Sequence, residues 1–231
     1  MRLDKYLADA GYGTRSNVKK LIKDGAVTVD GTKIFDAGFH ISEGLEVCVN
    51  GTAVSYSRYI YYMLNKPAGY LTANDDPLKP TVLDLFPPEL RHKIFAVGRL
   101  DLDTVGLLLL TNDGETAHRL LSPRRGIEKV YELETDIPMT DQDMTELSKG
   151  LTLRDGTAFK PAVLSIDADS PTHGTITITE GKYHEVKRLL KSQGKTVTYL
   201  KRLSMGPLTL DPTLSEGRYR PLTEEEIKSI L

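Results

Sequence analysis

Cysteine is nearly absent from this chain. The single Cys48 in 231 residues excludes an intrachain disulfide and any multi-cysteine metal site, and such a thiol is expected to pack in a core. An excess of either charge is also missing. Thirty Lys and Arg stand against 32 Asp and Glu for a net charge of −2, so any signal for nucleic acid has to be local. No apolar run reaches membrane-spanning length, and Met1-Arg2-Leu3-Asp4-Lys5 opens without the apolar stretch of a signal peptide. Together these absences predict a cytoplasmic chain with no membrane partner. What is present is ordinary for a soluble protein: 39% hydrophobic and 27% charged residues, enough for one large domain or a medium one with a small appendage.

The first fifty-odd residues read as two helices and a hairpin. Leu3, Leu7 and Ala10 share a helical face that Gly11 and Gly13 end. Ser16 is the expected cap of a second helix carrying Val18, Leu21 and Ile22 inward and closed by Gly25. Ala26-Val27-Thr28-Val29 then runs into Asp30-Gly31, a hairpin turn. Between Met1 and Lys23 the basic residues Arg2, Lys5, Arg15, Lys19, Lys20 and Lys23 outnumber Asp4 and Asp9, a local charge of +4. Such a run is either a solvated face or an electrostatic footprint for RNA phosphates. The polar stretch from about 51 to 58 predicts a linker, dividing a module of 1–57 from a domain of 58–231.

The rest of the chain is organised around Gly98-Arg99-Leu100-Asp101-Leu102-Asp103-Thr104-Val105-Gly106, led in by Ile94 to Val97 and out by four leucines and Asn112-Asp113-Gly114. The pattern predicts strand, tight turn, buried strand, turn, and a helix from about Glu115. Two carboxylates and an arginine therefore sit on a short turn between core strands, either as turn formers bonding their own backbone or as a reactive group on a rigid scaffold. Upstream, an apolar strand over 59–64 ends at the turn Asn65-Lys66-Pro67-Ala68-Gly69. Downstream, Glu128 to Leu133 alternates so that Lys129, Tyr131 and Leu133 share a face. A polar helix is expected around Met144 and Leu147, a strand over 175–179, strands over 197–210 and a short final helix capped near Thr223. From Lys182 to Arg202 seven cations face one acid, Glu185, with Tyr183, His184 and Tyr199 between them, which suits phosphate neutralisation and base stacking.

Two resemblances sharpen this reading. Residues 1–50 are similar throughout to the S4 RNA-binding module, which implies that Arg2, Lys5, Arg15, Lys19, Lys20 and Lys23 face RNA. Gly98-Arg99-Leu100-Asp101 with Asp103-Thr104 and Gly106-Leu107-Leu108-Leu109-Leu110-Thr111-Asn112-Asp113-Gly114 resembles the signature of the RsuA/RluB group of pseudouridine synthases. Leu64-Asn65-Lys66-Pro67, Glu128-Lys129-Val130-Tyr131 and Glu180-Gly181-Lys182-Tyr183-His184-Glu185-Val186-Lys187-Arg188-Leu189 look like the other motifs of that group, in its order. Met63 to Pro67, Asp75-Asp76-Pro77 and Gly217 to Thr223 look most like the RsuA branch, whose substrate is small-subunit 16S ribosomal RNA and whose target is uridine 516.

The resemblance implies Asp101 as the essential carboxylate, acting on the uracil ring or on ribose C1′. Lys187 is implied as its basic partner, which favours the ionised form. Tyr131 is implied to stack on the base, and Val186 to lie beneath it. Arg99, Lys66, Lys182, His184 and Arg188 are implied to hold RNA around a flipped-out uridine. The implied reaction requires no metal and no cofactor, and the implied partner is ribosomal RNA, free or in a small-subunit assembly intermediate, met by a monomer. Val105, Glu185 and Lys187 depart from the commonest residues of the group, and Glu185 is expected to add negative charge on the RNA side.

Two other readings stand beside this one. Asp101-Leu102-Asp103-Thr104-Val105 also fits the Asp-x-Asp-x-Thr loop of Mg²⁺-dependent dehalogenase-type phosphotransferases, with Asp167 and Asp169 as the later acidic pair. A non-catalytic RNA-binding assembly factor that keeps the fold is the other. The fold expected is α+β: a small helix-helix-hairpin module, then a mixed, largely antiparallel sheet with flanking helices.

Overall fold

The computed structural model describes residues 1–42, 44–54 and 59–231, and the chain divides into two compact units, Met1–Arg58 and Tyr59–Leu231. In the first unit, helices α1 (Leu3–Asp9) and α2 (Arg15–Lys23) accompany strands β1 (Val27–Val29), β2 (Thr32–Lys33), β3 (Val47–Val49) and β4 (Thr52–Ala53), ordered β2-β1-β3-β4. Leu3, Leu7, Val18 and Ile22 from the helices meet Val27, Val29, Val47 and Val49 from the sheet in one core. The cap of α2 is Thr14, not Ser16: the Thr14 hydroxyl accepts the Asn17 amide at 3.3 Å, while Ser16 already lies inside the helix. Asp30 and Gly31 both take positive φ, as a tight two-residue hairpin turn requires.

Asn50-Gly51 repeats that geometry, with φ of 50° and 79°. The expected linker is therefore partly wrong, because Thr52 and Ala53 pair with β3 as a fourth strand. The remainder of that stretch, 55–58, lies outside the described residues. Cys48 is half-buried rather than in the core, since strand alternation sends it to the face opposite Val47 and Val49.

The second unit is built on a nine-stranded sheet. Its strands are β5 (Tyr61–Lys66), β6 (Phe95–Ala96), β7 (Val105–Thr111), β8 (Lys129–Thr135), then, after the separate hairpin β9 (Leu151–Thr152) and β10 (Ala158–Phe159), β11 (Val163–Ile166), β12 (His173–Ile178), β13 (Val197–Met205), β14 (Leu208–Thr209) and β15 (Tyr219–Pro221). The order along the sheet is β11-β12-β8-β13-β7-β5-β15, with β6 on β7 and β14 on β13. Pairing is antiparallel except between β13 and β7. Helices α3 (Pro88–Arg91), α4 (Gly114–Leu121), α5 (Asp141–Ser148), α6 (Glu185–Ser192) and α7 (Glu224–Ile230) flank it.

The leucine run explains the centre of this sheet. Leu108 and Leu110 enter one core with Tyr131, Leu133 and Val186, while Leu107 and Leu109 enter the other with Met63, Leu120 and Met205. A strand covered on both faces reads as a continuous apolar run rather than an alternation. Gly106 is demanded where β7 meets β13, because a Cβ there would overlap the Arg202 backbone. Strand β5 extends two residues past its expected end: Asn65 and Lys66 pair with Leu107 and Gly106, which overrides the turn character of Asn-Lys-Pro.

Candidate active site

The Asp101 turn is held by a buried ammonium. Lys66, at the end of β5, is fully buried, and its Nζ donates to the carbonyls of Thr104 (2.9 Å), Asp101 (3.0 Å), Pro67 (3.1 Å) and Leu102 (3.3 Å). Burial pushes the Lys66 amine down to about 8, with Asp103 and Asp101 pulling the other way. Its expected place among the phosphate-holding cations is therefore corrected: no exposed ammonium is left for a phosphate. Around it, the Gly69 amide donates to Leu102 O at 2.8 Å, and Thr72 both donates to and accepts from the Leu100 backbone. Gly98, opening the turn, has φ of 80°.

Asp101 projects from this turn with its side chain 26% exposed. The Lys187 ammonium stands 3.3 Å from Oδ2 and His184 Nε2 stands 3.5 Å from Oδ1. Both come from the start of α6, where His184 takes a left-handed backbone conformation (φ 49°) unusual for a side-chain-bearing residue. Lys187 also bonds Asp103, expected from its place in the chain to be a turn former. Partial burial opposes the charge on Asp103, but the Lys187 ammonium more than offsets it and holds that carboxyl below its usual range.

Beside Asp101 lies a cavity of about 60 Å³ lined by Tyr131 from β8, Ile178 from β12, Val186 from α6, Leu200 from β13 and Thr104. Tyr131 is 7% and Val186 4% exposed, so both are walls of the sheet core. The Thr104 hydroxyl is buried and has no hydrogen-bond partner among the described residues. The site is thus a narrow slot with four apolar walls, and with the Asp101 carboxylate, the Lys187 ammonium and the His184 ring at its mouth. A flat ring entering it would lie against the carboxylate between apolar walls.

The remaining expected residues divide. Arg99 is exposed at the slot, and Lys182 and His184 line it. Arg188 turns away, bound to Asp155 and to Thr157 Oγ1 at 3.0 Å, with its guanidinium 5.3 Å from the Phe159 ring centre. Lys182 is tied to Glu180 at 2.9 Å. Glu185, expected to put charge on the RNA side, is 4% exposed and accepts the Lys182 amide at 2.7 Å. Burial pushes its carboxyl up to about 7, so the expected charge is only partly present near neutral pH. Lys129 is buried as well, its Nζ donating to Ile127 O at 2.8 Å. Asp167 and Asp169 share no pocket with Asp101, which removes the acidic pair the phosphotransferase reading needs.

In the first unit, Arg2, Lys5, Arg15 and Lys19 line a cleft of about 650 Å³. Arg2 is paired with Asp4 at 3.0 Å. Lys20 and Lys23 are exposed but do not line that cleft.

Comparison with known proteins agrees with this geometry. Residues 60–192 match the family model for RNA pseudouridylate synthase, and residues 1–47 match the S4 domain. An uncharacterized RNA pseudouridine synthase of Bacillus subtilis (strain 168) is 48% identical, covering 98% of this chain and 97% of the relative. Ribosomal small subunit pseudouridine synthase A of Escherichia coli (strain K12) is 41% identical over the full length of both. A crystal structure of a pseudouridylate synthase superposes over the full length of both chains with a TM-score of 0.71 at 37% identity. The chain belongs to the RNA pseudouridylate synthase family, isomerases that act on RNA, and carries an S4 domain at its front. The phosphotransferase reading of Asp101 to Val105 is overturned.

Proposed function

We propose that this synthase converts one uridine of small-subunit 16S ribosomal RNA to pseudouridine, at position 516, with Asp101 as the essential carboxylate. The observation that carries the chemistry is Asp101 at the mouth of a slot walled by Tyr131, Ile178, Val186 and Leu200, with Lys187 and His184 beside its carboxylate. The full-length similarity to the Escherichia coli small-subunit enzyme supports the choice of RNA.

In the reaction, the C1′–N1 bond of uridine breaks, the uracil turns within the slot, and a C1′–C5 bond forms. The C5 proton leaves and N1 ends protonated, so no electrons are exchanged with a partner. Asp101 attacks the ring or C1′, or balances charge at C1′, and each path needs the carboxylate next to the sugar–base bond. Lys187 keeps a positive charge against that carboxylate. Tyr131 and Val186 pack on the faces of the uracil. Extracting the base from its stack costs a few kcal/mol, least in a loop or weakly paired segment. The S4 unit contributes phosphate contacts through Lys5, Arg15 and Lys19, with Lys20 and Lys23 adding to its positive field. The protein acts as a monomer in the cytoplasm, where ribosomal RNA or a partly assembled small subunit is its substrate.

The test is tritium release from C5-labelled small-subunit ribosomal RNA in EDTA, with wild type and Asp101→Asn. Release by wild type alone is expected, followed by mapping of the product to position 516. Equal release by Asp101→Asn overturns the role of Asp101. A single product elsewhere corrects the target, and release only from large-subunit RNA overturns the choice of RNA.

A further inference from the structure

The slot beside Asp101 is not isolated. It opens into a cleft of about 770 Å³ that shares Arg99, Asp101, Gly181, Lys182 and His184 with it. That volume falls in the range of sites that take a whole small organic ligand. The shared carboxylate means that whatever fills the cleft lies against the group held in the slot.

Three features of the cleft point to one kind of occupant. First, Tyr183 is 67% exposed, yet its ring is stacked on the His184 ring with centroids 3.8 Å apart and planes 20° from parallel. One face is thus covered and its orientation set, and the exposed remainder offers a surface for another flat ring. Second, the cleft has apolar wall in Leu121 and Pro123, and Leu121 is 41% exposed. Third, its basic side chains are unequally engaged. Lys182 is tied to Glu180 and the Ala158 carbonyl, Lys129 to the Ile127 carbonyl, and His184 faces Asp101. Arg99 lines the same cleft, is exposed, and has no ion-pair or hydrogen-bond partner among the described residues. An aromatic face, an apolar wall and an unengaged guanidinium match the base and the phosphate of a nucleotide.

We propose that this cleft is a second nucleotide subsite, which takes the nucleotide adjoining the flipped uridine, its base on Tyr183 and its phosphate at Arg99. The inference rests on the reading of Asp101 as the centre that receives a uridine. Turning that uridine out of its stack deprives the adjoining base of a stacking partner. Tyr183 restores one on the protein, and because the two nucleotides are covalently joined, the second contact forms without a separate association step. Tyr183 is accordingly a binding residue for the flanking nucleotide and takes no part in the bond exchange.

The experiment is steady-state tritium release from small-subunit ribosomal RNA assembled by splint ligation, so that either neighbour of the target uridine can be replaced by an abasic residue. Tyr183→Ala is expected to raise KM about tenfold with kcat changed less than twofold, and Tyr183→Trp to restore the wild-type KM. An abasic residue on one particular side is expected to raise the wild-type KM by a similar factor and to make Tyr183→Ala silent. Arg99→Gln is expected to raise KM on both RNAs. If Tyr183→Ala leaves KM unchanged, or costs the same on intact RNA and on both abasic RNAs, the subsite is refuted while the function stands. If wild type releases no tritium from any of these RNAs or from partly assembled subunits, the functional reading fails and takes the subsite with it.

Discussion

The molecule contains two groups of cations that look alike in the sequence and have opposite fates in the structure. In the first unit, Lys5, Arg15 and Lys19 are exposed around an open cleft. In the second, Lys66 is buried beneath four carbonyls, Lys187 is spent on two carboxylates, Arg188 on Asp155 and Lys182 on Glu180. The first arrangement keeps its charge for a partner, at the cost of weak, salt-sensitive contacts. The second uses its charge internally to fix one turn and one carboxylate. Binding RNA calls for the former, and reacting with one base of it calls for the latter, because a reactive group must be held before the substrate arrives.

The comparison breaks most severely at Asp101. Asp101→Asn keeps the size of the side chain but removes the charge that Lys187 and His184 face. A loss of about 10³-fold or more in turnover is expected, with RNA affinity nearly intact. Filter binding beside tritium release checks it, and a parallel loss of affinity would place Asp101 in binding instead.

Lys66→Met comes next. It removes the ammonium but fills its space, so the carbonyls of Asp101, Leu102 and Thr104 lose their common partner. An isosteric apolar replacement of a buried charge need not destabilise the fold, since it also removes the burial cost. A fall in kcat of about 10- to 100-fold is expected from the displaced turn, with KM for RNA and the urea midpoint little changed. A rise in KM alone would mean that Lys66 contacts RNA after all.

Glu185→Gln tests the internal group through pH. The wild-type carboxyl is held up to about 7 by burial, against an ordinary value of 4.5. Between those values the folded chain keeps a proton that the unfolded chain has released, so wild-type stability falls as pH rises through this window and then levels off. The loss is about 3 kcal/mol at most. Glu185→Gln removes it while still accepting the Lys182 amide. Urea midpoints should therefore favour the variant at pH 8 and converge with wild type near pH 5. An equal difference at both pH values would show that the charge is not the cause.

The smallest effect belongs to the exposed group. Lys19→Ala should weaken RNA binding several-fold and lower the slope of log affinity against log salt by about one, with kcat unchanged. A salt slope equal to wild type would leave Lys19 without a phosphate.

Much of this was legible in the residues themselves. Asp30-Gly31 marked a hairpin, Thr223 with Glu226 marked a capped helix, and the alternation of Lys129, Tyr131 and Leu133 matches their common burial on β8. These are local signals, set by turn chemistry, capping and period. The errors share a different origin. Asn65 and Lys66 read as turn because their strand partners, Leu107 and Gly106, lie about forty residues away in the chain. Glu185 read as an exposed charge because the burial that suppresses it comes from packing against other elements.

What the sequence determines by itself is local: the Asp30-Gly31 turn, the capped final helix and the alternation of β8, since each depends on neighbours along the chain. Tertiary structure alone decides which cations remain free. Lys19 and Lys66 carry the same ammonium, and only burial and four backbone carbonyls separate an exposed charge at an open cleft from one that holds the Asp101 turn in place.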